Sequence, residues 1–281
     1  MSGPDGTVMN TVYKRDPLAI IDKTNAALGH MNWRGYEYQA FSDVLVIHAR
    51  TNRLEESGAL LLFDPRYVRG ASMLGTLEFF IASSNDTSVP REIICDGDTI
   101  VIARNSHEGT SPGCVISCRD LDMFQRFNYG HDAFHLKQHL GVGVRCLPIR
   151  ESAALLKELS PCNLTWWSSS TFFGSEFVMR VDSPKRRGYI ILRAARYVDL
   201  PKHVSNATFR SLRDSDSDWI GDRFGAHESE IPPVPGYHCG PIGNELIIIE
   251  SGTSRYCVLA DGVGFEDKIQ FPPSMGLNLV R

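Results

Sequence analysis

The apolar runs of this chain are short, and that limits what it can fold into. Val44–Ala49 reads VLVIHA, Ala59–Phe63 reads ALLLF, Thr99–Ala103 reads TIVIA and Leu246–Ile249 reads LIII. Each run is bounded by Gly, Pro, Asn, Asp or Ser within a few residues. Runs of this length fit strands, whereas a helix shows a longer repeat. They fall far below the roughly 20 apolar residues of a membrane-spanning helix, so no membrane contact is expected. Leu77–Ala82 (LEFFIA), Glu92–Cys95 (EIIC), Phe177–Val181 and Tyr189–Ala194 add further strands. Asp96-Gly97-Asp98 between EIIC and TIVIA reads as a hairpin turn, because Asp-Gly accepts the left-handed backbone that tight hairpins need.

Helical signals are fewer. Pro17–Leu28 has Asp16 as a capping residue, Pro at the first helical position and Gly29 just past the end. Asp120–Leu140 predicts one or two helices broken near Gly130, and Ile149–Leu159 predicts another, stopped before Pro161. Ser205–Pro235, with RDSDSD and IPPVP, predicts a polar surface excursion. The expected fold is a β-rich α+β arrangement, with antiparallel sheets or barrels in two packed halves and a few short helices in the middle. All 281 residues are expected to form a single compact unit, its β-rich halves meeting near residue 148 (1–148 and 149–281).

A hydrophobic share of 42% with 22% charged residues is enough to build a sizeable core. A net charge of −4 gives no general pull toward nucleic acid or anionic lipid. Seven cysteines and no leader-like start predict free thiols and a cytoplasmic location.

Three constellations carry candidate chemistry. Gly236-Tyr237-His238-Cys239-Gly240-Pro241 resembles the Gly-flanked nucleophile turn of the viral chymotrypsin-like cysteine proteases, with one residue more. The resemblance implies Cys239 as nucleophile, His48 as base and an acid such as Asp98. His131 and His135, one helical turn apart, would share a zinc ion with Cys146. Lys185, Arg186 and Arg187 sit in the turn between two strands and form a candidate phosphate or RNA contact. P-loop, dinucleotide, α/β-hydrolase and zincin motifs do not occur.

The leading functional expectation is a non-enzymatic structural protein. It would act through self-association or contacts with other subunits, within a larger assembly such as a viral particle. The alternative is the cysteine protease built on Cys239 and His48.

Overall fold

The computed structural model describes residues 15–40, 43–51, 56–71, 75–83, 96–105, 112–127, 146–170, 176–195, 197–211, 213–216, 218–219 and 246–268. Helix α1 (Pro17–Leu28) comes first. It is followed by β1 (Asn32–Gln39), β2 (Val44–Arg50), β3 (Glu56–Ala71), β4 (Leu77–Ile81), β5 (Thr99–Asn105), β6 (Pro112–Phe127) and β7 (Leu147–Pro148). Helix α2 (Ala153–Leu159) leads into β8 (Cys162–Ser170), β9 (Glu176–Asp182), β10 (Arg187–Arg193), β11 (Tyr197–Pro201) and β12 (His203–Ser211). The last strands are β13 (Leu246–Ser251), β14 (Ser254–Leu259) and β15 (Gly262–Glu266). The expected β-rich fold with short helices is what forms.

Every strand pairing among the described residues is antiparallel. Eight strands close a circuit, β3–β11–β14–β13–β12–β8–β1–β2 and back to β3. Two wings extend from it, β6–β5–β4 from β3 and β9–β10–β15–β7 from β8. Strands from before and after residue 148 pair directly, β3 with β11, β1 with β8 and β7 with β15.

All eight circuit strands send side chains into one core, among them Trp33, Tyr38, Ile47, Leu62, Leu200, Ala207, Ile249, Val258 and Trp166. Edge-to-face ring contacts run through it: Trp33 on Phe79 at 4.6 Å, Tyr38 on Trp166 at 5.5 Å and Trp166 on Phe177 at 6.0 Å between centroids.

The continuous apolar runs have a structural cause. Thr99–Ala103, Cys114–Cys118, Leu246–Ile249 and Tyr256–Leu259 are buried at every position, so both faces of these strands are covered. Tyr67, Ile100, Ile102 and Val115 form a second apolar cluster, and Leu246, Ile248, Cys257 and Leu259 a third. At the sheet margin, β4 instead alternates, burying Leu77 and Phe79 and exposing Glu78 and Phe80.

The margin is closed by a side chain. Asn25 of α1 donates from Nδ2 to the Phe79 carbonyl (2.8 Å), and its Oδ1 accepts the Phe79 N–H (2.9 Å). Its amide thus takes the place of a neighbouring strand, which blunts the edge against further strand addition. The opposite margin ends in the two-residue β7, whose Pro148 has no N–H to offer.

Three expectations change. Of the helical stretch expected over Asp120–Leu140, Asp120–Phe127 is not helical but completes β6, which pairs with β3 along Glu56–Gly70, and 128–140 lie outside the described residues. The first residues of the polar stretch expected over Ser205–Pro235 belong to strand β12 (His203–Ser211), and 220–235 lie outside the described residues. The helix expected from Ile149 starts at Ala153, after a single 3-10 turn.

Candidate functional site

The sequence candidates do not converge among the described residues. Cys239, His131 and His135 lie outside them. His48, on β2, stands opposite Ala59 of β3. Asp98 precedes Thr99, which pairs through Cys118 of β6 with Pro65 of β3. Six residues of β3 separate these two levels, about 20 Å along a strand. That is far beyond hydrogen-bond reach, so the structure does not bring His48 and Asp98 together as base and acid. The Asp98 side chain is fully buried, its Oδ1 3.5 Å from Arg66 Nε and its Oδ2 accepting from Ser117 Oγ at 3.4 Å.

Cys146 is half-buried near the start of β15. Burial pushes its thiol up, and Arg193 pulls it part of the way back. Among the described residues, no three His, Cys, Asp or Glu side chains form a group that could hold a metal ion. Burial also pushes the thiols of Cys114, Cys118 and Cys162 up to about 12. At neutral pH these three are packing groups rather than nucleophiles.

The basic turn is already occupied. Arg186 lies over the Phe265 ring at 4.1 Å and pairs with Asp267 (3.3 Å) and Glu158 (3.7 Å). Arg187 pairs with Asp182 at 2.9 Å. Two of the three expected phosphate ligands thus stand beside acidic side chains, while Lys185 stays exposed. Gly188 makes this packing possible. A Cβ there would stand 2.4 Å from the Glu266 carbonyl oxygen and 2.7 Å from the Phe265 ring.

The most connected polar site was not foreseen. It lies where β3 and β8 change partners. One edge of β3 pairs with β2 along Ser57–Phe63 and with β11 along Tyr67–Ala71. One edge of β8 pairs likewise with β12 and then with β1. Both strands shift register at the changeover, β3 between Pro65 and Tyr67 and β8 between Trp166 and Ser168. Lys202, the single residue between β11 and β12, bridges them. Its N–H donates to the Arg66 carbonyl (2.7 Å), and its own carbonyl accepts from Trp166 N–H (3.0 Å).

The Lys202 ammonium reaches both oxygens of Asp43 (2.7 Å each) and Asp64 Oδ1 (3.2 Å). An ammonium has three N–H donors, and here all three are used. Asp43 and Asp64 both hold left-handed backbones, with φ of 52° and 45°. Asp64 N–H donates to the Asp43 carbonyl at 2.9 Å, and Tyr38 donates its hydroxyl to Asp43 at 3.0 Å. Burial pushes the Asp64 carboxyl up, but Lys202 and Arg66 outweigh it and hold the group below its usual value. Burial and then Lys202 push the neighbouring His203 imidazole down. Held by two carboxylates, Lys202 forms a junction between residues distant in the chain. The residues it joins are 159 and 138 positions away, so no local pattern announces the site.

A second ionic corner joins β12, β13 and β14. Arg210 grips buried Asp216 with two contacts, 2.6 and 2.8 Å, and reaches Glu250 at 2.9 Å. Arg255 stands 3.5 Å from Asp216, whose Oδ2 also accepts the Arg213 N–H.

Among the described residues, the large exposed hydrophobics are Leu18 and Phe80. Arg104 lies over the Phe80 ring at 5.2 Å. The chain matches no protein-family model and no curated protein sequence.

Proposed function

We propose that this protein is a non-enzymatic structural component that works through protein–protein contacts, self-association foremost, as a subunit of a larger assembly. The observation that carries this reading is how its charged side chains are used. Lys202, Arg210 and Arg186 each tie together strands or helices distant in the chain. They support one hydrogen-bonded network of fifteen strands. A scaffold pinned in this way presents a fixed surface and loses little conformational freedom when it docks. Burial raises the thiol pKa of Cys114, Cys118 and Cys162, which suits a packing role for these three.

Light scattering of the native protein, across concentration and salt, tests the reading. A mass above the 31.3 kDa chain, rising with concentration, is expected. A monomer at every concentration would overturn self-association.

A further inference from the structure

We infer that the exposed patch formed by Glu78, Phe80 and Arg104 at the β4–β5 margin is where two copies of this chain meet; the inference rests on the self-association proposed above. Strand alternation puts Glu78 and Phe80 on the same outward face of β4, while Leu77 and Phe79 point into the core. Across the ladder, Glu78 stands opposite Arg104, and Phe80 opposite Ile102. Glu78, Phe80 and Arg104 are all exposed.

Glu78 and Arg104 are cross-strand neighbours of opposite charge, but they do not pair. The guanidinium lies over the Phe80 ring instead, and among the described residues Glu78 makes no ion pair. The face therefore offers an aromatic ring, an exposed arginine stacked on it, and a carboxylate with no ion-pair partner among the described residues. Aromatic and arginine side chains are the types that most often dominate protein interfaces.

The floor beneath them is fixed. Phe80 stands beside Ile102, and Ile102 beside Val115, both 1% exposed. The ring is thus held on rigid sheet rather than on a loop.

Charge complementarity selects the occupant. A face on which Glu78 and Arg104 stand side by side, two residues along the ladder from Phe80, is complementary to itself. In a two-fold pair about an axis running between β4 and β5, each Arg104 meets the other copy's Glu78, and the two Phe80 rings lie side by side one step along the ladder. Asn25 already occupies the backbone edge of β4. The copies therefore join face to face and not by extending the sheet.

The test uses light scattering on the full chain with charge reversals at exposed positions. Glu78→Arg alone and Arg104→Glu alone should each give monomer, because like charges then face each other across the two-fold. Mixing the two variants should restore the wild-type mass, since one copy brings two cations and the other two carboxylates. Phe80→Ser should weaken association roughly 30-fold or more, the size expected of a central aromatic anchor. If wild type associates but the single reversals keep its mass, this surface is overturned and the assembly reading stands. If the reversals dissociate but their mixture stays monomeric, two-fold pairing is overturned. A wild type that is monomeric at all concentrations overturns both.

Discussion

The two ionic corners of this protein have similar composition and opposite solvation. At the Arg210 corner, the side chains of Asp216 and Arg210 are 2% and 12% exposed, and the carboxylate is gripped by two parallel hydrogen bonds. At the Lys202 corner the ammonium is 14% exposed, but its partners Asp43 and Asp64 are 40% and 41% exposed. Water competes at the second corner and is excluded from the first. A buried pair is costly to break from one side, because the remaining charge loses both its partner and its hydration. An open pair gives up less, because water takes over. The closed corner therefore acts through energy. The open one acts through position: Lys202 links β3 and β8 by backbone as well as by charge, at the point where both change partners.

The largest effect should come from the closed corner. Asp216→Ala leaves Arg210 half-neutralised and the Arg213 N–H without its acceptor. A loss of about 3–5 kcal/mol is expected, read from the midpoint of chemical denaturation. A loss below about 1 kcal/mol would place Asp216 among ordinary surface pairs and erase the contrast.

Lys202→Met should cost less, about 1 kcal/mol, because Asp43 and Asp64 are hydrated without it. Its signature is where protection is lost. Hydrogen exchange should quicken around Val44, Phe63 and Tyr67, at the changeover, and leave the β13–β14 hairpin unchanged. Uniform quickening would show that Lys202 contributes general stability and not a local junction.

The contrast also explains what the sequence could disclose. Doubly buried strands such as Thr99–Ala103 and Leu246–Ile249 are legible because burial on both faces writes an unbroken apolar run. The β13–β14 hairpin is legible through Gly252, whose φ of 59° suits its turn. Helix α1 is legible through its ends: Asp16 caps it by accepting the Leu18 N–H, just as its placement before Pro17 suggests. Strands with a bulge are hidden. Trp33 and Tyr38 both point inward although five residues apart, because β1 shifts register between Trp33 and Tyr36 and breaks the period of two. Val204 and Ala207 do the same in β12, where Asn206 takes a φ of 50°. β3 runs on through Asp64-Pro65, past the end of its apolar run at Phe63, and shifts register between Pro65 and Tyr67. The Lys202 site sits on two such irregularities and joins residues more than a hundred positions apart, so neither periodicity nor spacing marks it.

The smallest effect is the response to acid, and it separates the two corners in a single titration. Asp216 and Asp64 are both held below the usual carboxylate value. At Asp216 the Arg210 hydrogen bonds dominate; at Asp64, Lys202 and Arg66 overcome an opposing effect of burial. A carboxyl with a folded pKa below its unfolded one stabilises the fold above the unfolded value, about 4. That contribution fades as pH falls through the folded value, because the unfolded chain takes up the proton first. Wild-type stability should therefore fall with acidification below about pH 5. Asp216→Asn should flatten this decline more than Asp64→Asn, since hydration already screens the open corner. Each variant should differ most from wild type at neutral pH and converge on it in acid. If Asp64→Asn flattens the profile more, the exposed corner is the better insulated of the two, and the division into an energetic and a positional junction is reversed.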